Sequence, residues 1–230
     1  MSALHARLEG VRERIARAAS RAGRDPASVR LVAISKTFGP DAVREAADAG
    51  QIDFGENKVQ EALGKISATA DLPLRWHLVG HLQSNKARKA AAHFAVIHAV
   101  DNAALLARLD DAAIAEGRVV DLLVQVDMAG EVTKHGARPD ELMPIFAAAS
   151  TCRAARLTGL MLLPPALANP SLARPHFAAL RALRDELAGR GVAQTMLREL
   201  SMGMSHDFEV AVEEGATMVR VGSAIFGDRT

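Results

Sequence analysis

Lys36 is the residue whose position carries the most chemistry. It follows the apolar run Leu31-Val32-Ala33-Ile34 and so leaves the end of a buried strand. A lysine held there loses hydration, its pKa falls, and its amine becomes nucleophilic towards an aldehyde. On an exposed turn the same side chain is an ordinary solvated lysine. Two Gly/Ser segments follow near the C-terminus, Leu200-Ser201-Met202-Gly203-Met204-Ser205 and Val219 through Gly227. Backbone N–H groups in such loops can converge on a phosphate, a helix dipole favours its charge, and Ser201 and Ser223 add hydroxyl donors. Gly203 and Gly222 would let the backbone approach closely; read singly, they are ordinary turn glycines. Arg220 precedes Gly222, and its strand register decides whether it faces inward or makes a surface ion pair. Facing inward, it could donate to a pyridine nitrogen and leave that ring a weaker electron sink than a carboxylate would.

His77 and His81 stand four apart in Trp76-His77-Leu78-Val79-Gly80-His81. The segment reads as a strand entering a loop, with no carboxylate or third ligand at useful spacing. A hydrogen-bonded barrel histidine is therefore expected at His77, and no metal site. Ser84-Asn85-Lys86-Ala87-Arg88-Lys89 reads as a solvated helix start. Cys152 is the single cysteine and lies in no nucleophile motif, so an inert thiol is expected.

These residues need a scaffold that brings strand ends together. Leu4, Leu8, Val11 and Ile15 fall at helical spacing, and Gly23 with Pro26 stops that helix. Short β-rich runs then alternate with alanine-rich amphipathic stretches. The runs are Val29–Ser35, Ile52–Gly55, Arg75–Gly80, Ala95–Val100, Val119–Val126, Leu157–Leu163, Leu197–Met202 and Met218–Gly222. Helical segments include 41–49, 102–116, 139–150, 171–190 and 206–214, with Gly50, Gly117, Gly191 and Gly215 at C-cap positions. Strand–helix alternation implies right-handed βαβ units and a parallel sheet. About eight units predict a single α/β domain over residues 1–230, a parallel (β/α)8 TIM-type barrel with an extra N-terminal helix over Leu4–Ala19 packed outside it. The alternative is an open doubly wound sheet, but the first βα junction, Ile34-Ser35-Lys36-Thr37-Phe38-Gly39, lacks G-x-G-x-x-G, and the P-loop pattern is missing. A closed barrel would gather Lys36, Glu56, Asn57, His77, His81, Gln125, Asp127, Met161, Ser201, Arg220 and Ser223 at one face. The stretches 127–138 and 164–170 read as loops of that face.

Composition narrows the function classes. Hydrophobic residues make up 49% of 230 residues, enough for a large core, and the net charge of +1 offers no footprint for nucleic acid. The scattered basic residues make no polybasic membrane patch, no apolar run reaches the roughly 20 residues of a membrane span, and the charged N-terminus is no secretory signal. One cysteine makes a cytoplasmic setting the expectation. No large apolar patch is evident, so a monomer is expected.

Several stretches together resemble the pyridoxal phosphate homeostasis protein family, relatives of the N-terminal barrel of alanine racemase. They are Ser35-Lys36-Thr37, Phe54-Gly55-Glu56-Asn57, Trp76-His77 with Gly80 through Lys86, Gly159-Leu160-Met161, Leu200 through Ser205 with Asp207-Phe208-Glu209, and Val219 through Gly227. They run in the family's order from Lys36 to near the C-terminus. The resemblance implies pyridoxal phosphate (PLP) as a Schiff base on Lys36. It implies the cofactor phosphate near Ser201, Met202, Gly222 and Ser223, the pyridine nitrogen near Arg220, and Asn57 and His77 lining the pocket. Two departures are Lys58, where the family commonly has an aromatic residue, and Asp127, where it commonly has Asn.

The expected function is PLP binding for intracellular homeostasis: buffering the cofactor, limiting damage by its aldehyde, and handing it to apo PLP-dependent enzymes. The alternatives are a PLP-dependent amino-acid racemase and a barrel for a phosphorylated sugar that uses Lys36 without a cofactor. Racemisation needs two opposed bases. The relatives draw the second, a tyrosine, from another domain; this sequence ends at Thr230 and contains no tyrosine, so efficient racemisation is not expected. Lys134 and Lys86 are further aldehyde-site candidates that the sequence leaves open.

Overall fold

The structure, a computed structural model, describes residues 2–128, 135–165 and 167–227. Lys134 and Thr230 lie outside the described residues. Eight strands occur where the apolar runs predict them: β1 (Arg30–Ile34), β2 (Asp53–Glu56), β3 (Arg75–Leu78), β4 (Val96–Val100), β5 (Val120–Val126), β6 (Ala155–Leu162), β7 (Glu199–Met204) and β8 (Met218–Val221). They pair in sequence order, all parallel, and β8 closes on β1 with Val32 opposite Arg220. The open doubly wound alternative is thereby excluded.

Helix α1 (Ala3–Arg21) precedes the barrel, and α2 (Pro40–Asp48), α3 (Val59–Ala68), α4 (Ala87–His93), α5 (Ala103–Ala115), α6 (Leu142–Ala149), α7 (Arg174–Gly189), α8 (Phe208–Glu213) and α9 (Ser223–Phe226) follow the strands in turn. The expected helical segments correspond to α2 and α5 through α8. The solvated helix start at Ser84 is a 3-10 turn, Ser84–Lys86, that runs into α4. The four glycines expected at C-caps all take positive φ, from 62° to 102°, the left-handed conformation that ends a helix without a Cβ penalty.

Leu4, Leu8, Val11 and Ile15 form the buried stripe of α1, and Ser2 caps its first turn. Arg7 donates to the Ile225 carbonyl, Arg24 to the carbonyls of Val212 and Ala216, and Arg14 pairs with Glu209. The helix is thus bound to α8 and α9, the elements beside the last two strands, as its expected external packing requires.

The main core lies between sheet and helices, and Phe54, Phe94, Phe177 and Phe208 are its largest fully buried side chains. The barrel interior is filled differently. Val32, Ile34 and Val79 form one small apolar cluster and Val96, Leu123 and Met161 another. The buried polar residues His77, His98, Ser201 and Arg220 share the interior with them.

Candidate functional site

The C-terminal face of the barrel carries a cleft of about 720 Å³. Lys36, Asn57, Gly80, His81, Ser205, His206, Arg220, Gly222 and Ser223 line it, with Ile34, Phe38, Val79, Leu163 and Met204 as apolar walls. The cleft therefore brings together Lys36, Asn57, Arg220, Gly222 and Ser223 from the sequence-derived set, drawn from βα junctions at opposite ends of the chain.

Lys36 is aimed by the turn that carries it. Thr37 has φ 73°, a conformation uncommon for any residue with a Cβ and rarer for a β-branched one. A buried ionic cluster holds this turn from both sides. The Ser35 hydroxyl donates to Glu56 Oε1 at 2.6 Å, and Lys65 Nζ donates to the Ser35 carbonyl at 2.7 Å, to Glu56 Oε1 at 2.8 Å and to Glu61 Oε1 at 3.0 Å. The Thr37 N–H donates to the same Glu61 oxygen at 2.6 Å. Backbone strain of this kind costs on the order of 1–3 kcal/mol and persists where the surroundings over-determine it. Burial pushes the Glu56 carboxyl above its ordinary range, although the hydrogen bonds from Lys65 and Ser35 and the Lys65 charge resist. Phe38, next in the chain, stacks on Phe226 of α9 at 5.2 Å, which ties the Lys36 turn to the junction after β8.

That junction presents donors. The N–H groups of Gly222 and Ala224 converge on the Ser205 hydroxyl oxygen at 3.0 and 3.4 Å. Gly222 sits so close to β1 that a Cβ would lie 3.2 Å from the Ile34 carbonyl oxygen. Gly80 is more constrained still, because a Cβ would lie 2.3 Å from the Asn57 carbonyl oxygen. Gly203 is required by packing rather than by approach to a ligand: its φ is 90° and a Cβ would lie 2.5 Å from Ala211 Cβ of α8.

Arg220 faces inward, which resolves its register. Its guanidinium is buried beneath the cleft and donates to Ser201 Oγ at 2.6 Å and to the Leu162 carbonyl at 2.8 Å. Burial lowers its pKa to about 10, so it remains a cation at neutral pH. From Ser201 a column of hydrogen bonds continues through the barrel. His98 Nδ1 lies 2.9 Å from Ser201 Oγ, His98 Nε2 lies 3.0 Å from His77 Nδ1, and His77 Nε2 lies 2.8 Å from Asp53 Oδ1. Burial lowers the pKa of His77, and that of His98 far more, so both rings are neutral at neutral pH. Burial alone would raise Asp53, but the His77 hydrogen bond and the nearby charges of Arg75 and Arg30 hold it below the ordinary carboxylate value.

Three sequence-derived positions do not line the cleft. His77 does not line the cleft, because its fully buried ring is turned into the barrel between Asp53 and His98. Ser201 also lies below the floor, its hydroxyl engaged by Arg220 and His98. Met202 points the other way and joins the core under the helices. In their place Met204, Ser205 and His206 line the cleft. The reading of His77 as a hydrogen-bonded barrel histidine agrees with its partners. At His81, by contrast, the fold supplies what local sequence lacked. His135 stacks on it at 3.5 Å, Asp101 Oδ2 is 3.8 Å from its Nδ1, and one ligand-type atom of each residue lies within 4.8 Å of the others. Cys152 is half-buried, and burial raises its pKa, consistent with an unreactive thiol. Lys65, Glu61, His98 and Asp53 are the contributors that sequence reasoning missed. His98 alone left a signal, a polar residue alternating with Val96 and Val100.

Comparison with known proteins decides the family. The chain matches the family model for the alanine racemase N-terminal domain over residues 7–230. It is 44% identical to the pyridoxal phosphate homeostasis protein of Aquifex aeolicus, over 97% of each chain. This chain belongs to the pyridoxal phosphate homeostasis protein family. The member from Pseudomonas aeruginosa is also 44% identical, over 100% of this chain and 97% of that one. Among solved structures, PipY of Synechococcus elongatus with PLP bound is 44% identical and superposes with a TM-score of 0.83, covering 94% of this chain and 100% of PipY. More distant barrels share the fold alone: D-threonine aldolase of Filomicrobium marinum is 18% identical with a TM-score of 0.73, and this chain spans 60% of its length.

Proposed function

We propose that this family member binds PLP in the cleft, covalently through Lys36, and serves PLP homeostasis by holding and releasing the cofactor rather than by turnover. The observation that carries the reading is that one cleft is lined by Lys36, Arg220 and the Gly222-Ser223 junction. The donor set suits the group. An amine at a strand end can form a Schiff base with an aldehyde, and two N–H groups converging on one oxygen can take a phosphate oxygen in its place. PLP, when bound, supplies an electron-withdrawing ring conjugated to that linkage.

In this reading Lys36 anchors, Ser205 and Ser223 with the Gly222 backbone hold the phosphate, Arg220 donates to the ring nitrogen, and Asn57 borders the ring. Ser201 acts beneath the cleft through Arg220, and Met202 supports the strand from behind. Residues 1–230 form one PLP-binding domain, acting as a monomer in the cytoplasm and passing PLP to apo PLP-dependent enzymes.

Two features favour holding over turnover. The sequence contains no tyrosine to oppose Lys36 as a second base. Arg220, a cation at neutral pH, can donate to a ring nitrogen but does not keep it protonated as a carboxylate would, which weakens the ring as an electron sink. The curated relatives bear the name of homeostasis proteins rather than of enzymes. The test is the visible absorbance of the purified protein titrated with PLP. A band that saturates at one PLP per chain and is lost in Lys36→Ala is expected; no band at any PLP concentration would overturn the reading.

A further inference from the structure

The column from Asp53 to Arg220 has polar ends of opposite kind. Arg220 can only donate, and ionised Asp53 can only accept. Between them stand three groups that can do both, Ser201, His98 and His77, linked at 2.6, 2.9, 3.0 and 2.8 Å. With both rings neutral, one proton order satisfies every link. His77 carries its proton on Nε2 and donates to Asp53, and its bare Nδ1 accepts from His98 Nε2–H. The bare His98 Nδ1 accepts the Ser201 hydroxyl proton, and Ser201 turns a lone pair to Arg220. The reverse order would set a bare His77 Nε2 against the Asp53 carboxylate, two acceptors at 2.8 Å.

We propose that Asp53, at the N-terminal mouth of the barrel, is a positioning residue for Arg220 at the opposite mouth, acting through this proton order. Asp53 is largely buried, lies 3.6 Å from Arg75, and borders a cavity on the N-terminal face with Arg12, Arg30 and Gln51. Its carboxylate fixes the tautomer of His77, which fixes that of His98, which commits the Ser201 proton away from Arg220. Ser201 and the Leu162 carbonyl then act as two acceptors on different guanidinium nitrogens. They set the plane of the group and leave its other N–H bonds for the cleft. The order needs no ligand; its effect on cofactor retention rests on the function proposed above.

Asp53→Asn breaks the logic with little change of shape. A carboxamide can donate to His77 Nε2 as readily as accept from it, so both orders become available. In the reversed order His98 donates to Ser201, whose own proton then has no acceptor in the column. The experiment is long-range ¹H–¹⁵N NMR of ¹⁵N-histidine-labelled protein without PLP at neutral pH. Both His77 and His98 are expected as Nε2–H tautomers in the wild type. Asp53→Asn should populate Nδ1–H forms of both with an unchanged backbone amide spectrum, and Asp53→Glu should restore Nε2–H. PLP retention should weaken about tenfold in Asp53→Asn, the scale of one hydrogen bond to a charged group, and recover in Asp53→Glu. A wild-type Nδ1–H signal at either histidine overturns the proposal without any variant. Unchanged tautomers in Asp53→Asn overturn it, as does reversal with unchanged retention. A wild-type protein that takes up no PLP sinks the function reading instead, while the tautomer signals still decide the proton order.

Discussion

Replacing Lys65 by Met probes how the Lys36 turn is held. Lys65 places its three ammonium protons on the Ser35 carbonyl, Glu56 and Glu61, all within 3.0 Å. Glu56 is fully buried, and its Oε2 has no hydrogen-bond partner among the described residues, so Oε1 carries the compensation, from Lys65 and the Ser35 hydroxyl. Removing one partner of a buried pair typically costs about 3–5 kcal/mol, because a charge is left buried without its counter-ion. For a chain of this size that corresponds to roughly 6–20 °C in Tm. Glu56 can limit the loss by taking a proton, which gives the variant a diagnostic pH dependence. The folded-state pKa of Glu56 is already raised, and without Lys65 it rises further. A carboxyl with a raised folded pKa favours the folded state below its unfolded pKa, and that contribution is lost as pH rises through the folded value. The deficit of Lys65→Met should therefore be larger at pH 8 than at pH 5. Urea melts of Lys65→Met, Glu56→Leu and the double variant across that range measure it, with a coupling of about 2 kcal/mol expected between the two sites. A deficit under about 1 kcal/mol that does not change with pH would show that the cluster does not hold the turn.

Three further outcomes are expected. Asp53, Asp110 and Glu61 all have lowered folded pKa values: burial would raise each, but His77 for Asp53, the 153–155 N–H groups for Asp110, and the Thr37 N–H with Lys65 for Glu61 overcome it. Their stabilisation is present above the ordinary carboxylate range and is lost as pH falls through the folded values, so melts should show Tm dropping below about pH 4; a flat acid limb would contradict this. Gly159→Ala should cost about 1–3 kcal/mol or more, since its Cβ would lie 2.0 Å from the Glu199 carbonyl oxygen on β7; a neutral effect in denaturant melts would refute that strand contact. Incubation of PLP-loaded protein with single L- or D-amino acids in deuterated water should give no Cα exchange at rates typical of enzymes, and rapid exchange or inversion by NMR and chiral chromatography would restore the racemase alternative.

The barrel was legible because its signals are local. A β-rich run followed by an amphipathic stretch repeats eight times, and each strand lies within or beside its predicted run. Lys36 and the 220–223 junction were legible for the same reason, being polar residues at the ends of apolar runs. What stayed hidden depends on pairs far apart in sequence. Lys65 on α3 reads as a solvated helical lysine until Glu56 and Ser35 are folded against it. Asp53 and His98 belong to strands 45 residues apart and meet only through His77. His77 and Ser201 lie in strands β3 and β7 yet below the cleft, because strand alternation turns these two into the barrel. Met202, one residue on, falls on the helix side by the same alternation. Asp101 and His135 reach His81 from separate loops, which spacing along the chain does not reveal.

The central claim, that Lys36 holds PLP in this cleft, has a direct measurement. Protein incubated with PLP is reduced with borohydride, digested and mapped by mass spectrometry. One modified peptide per chain, carrying the label on Lys36 and lost in Lys36→Ala, is the expected result. Label that falls on another lysine and never on Lys36, or that persists undiminished in Lys36→Ala, would contradict it.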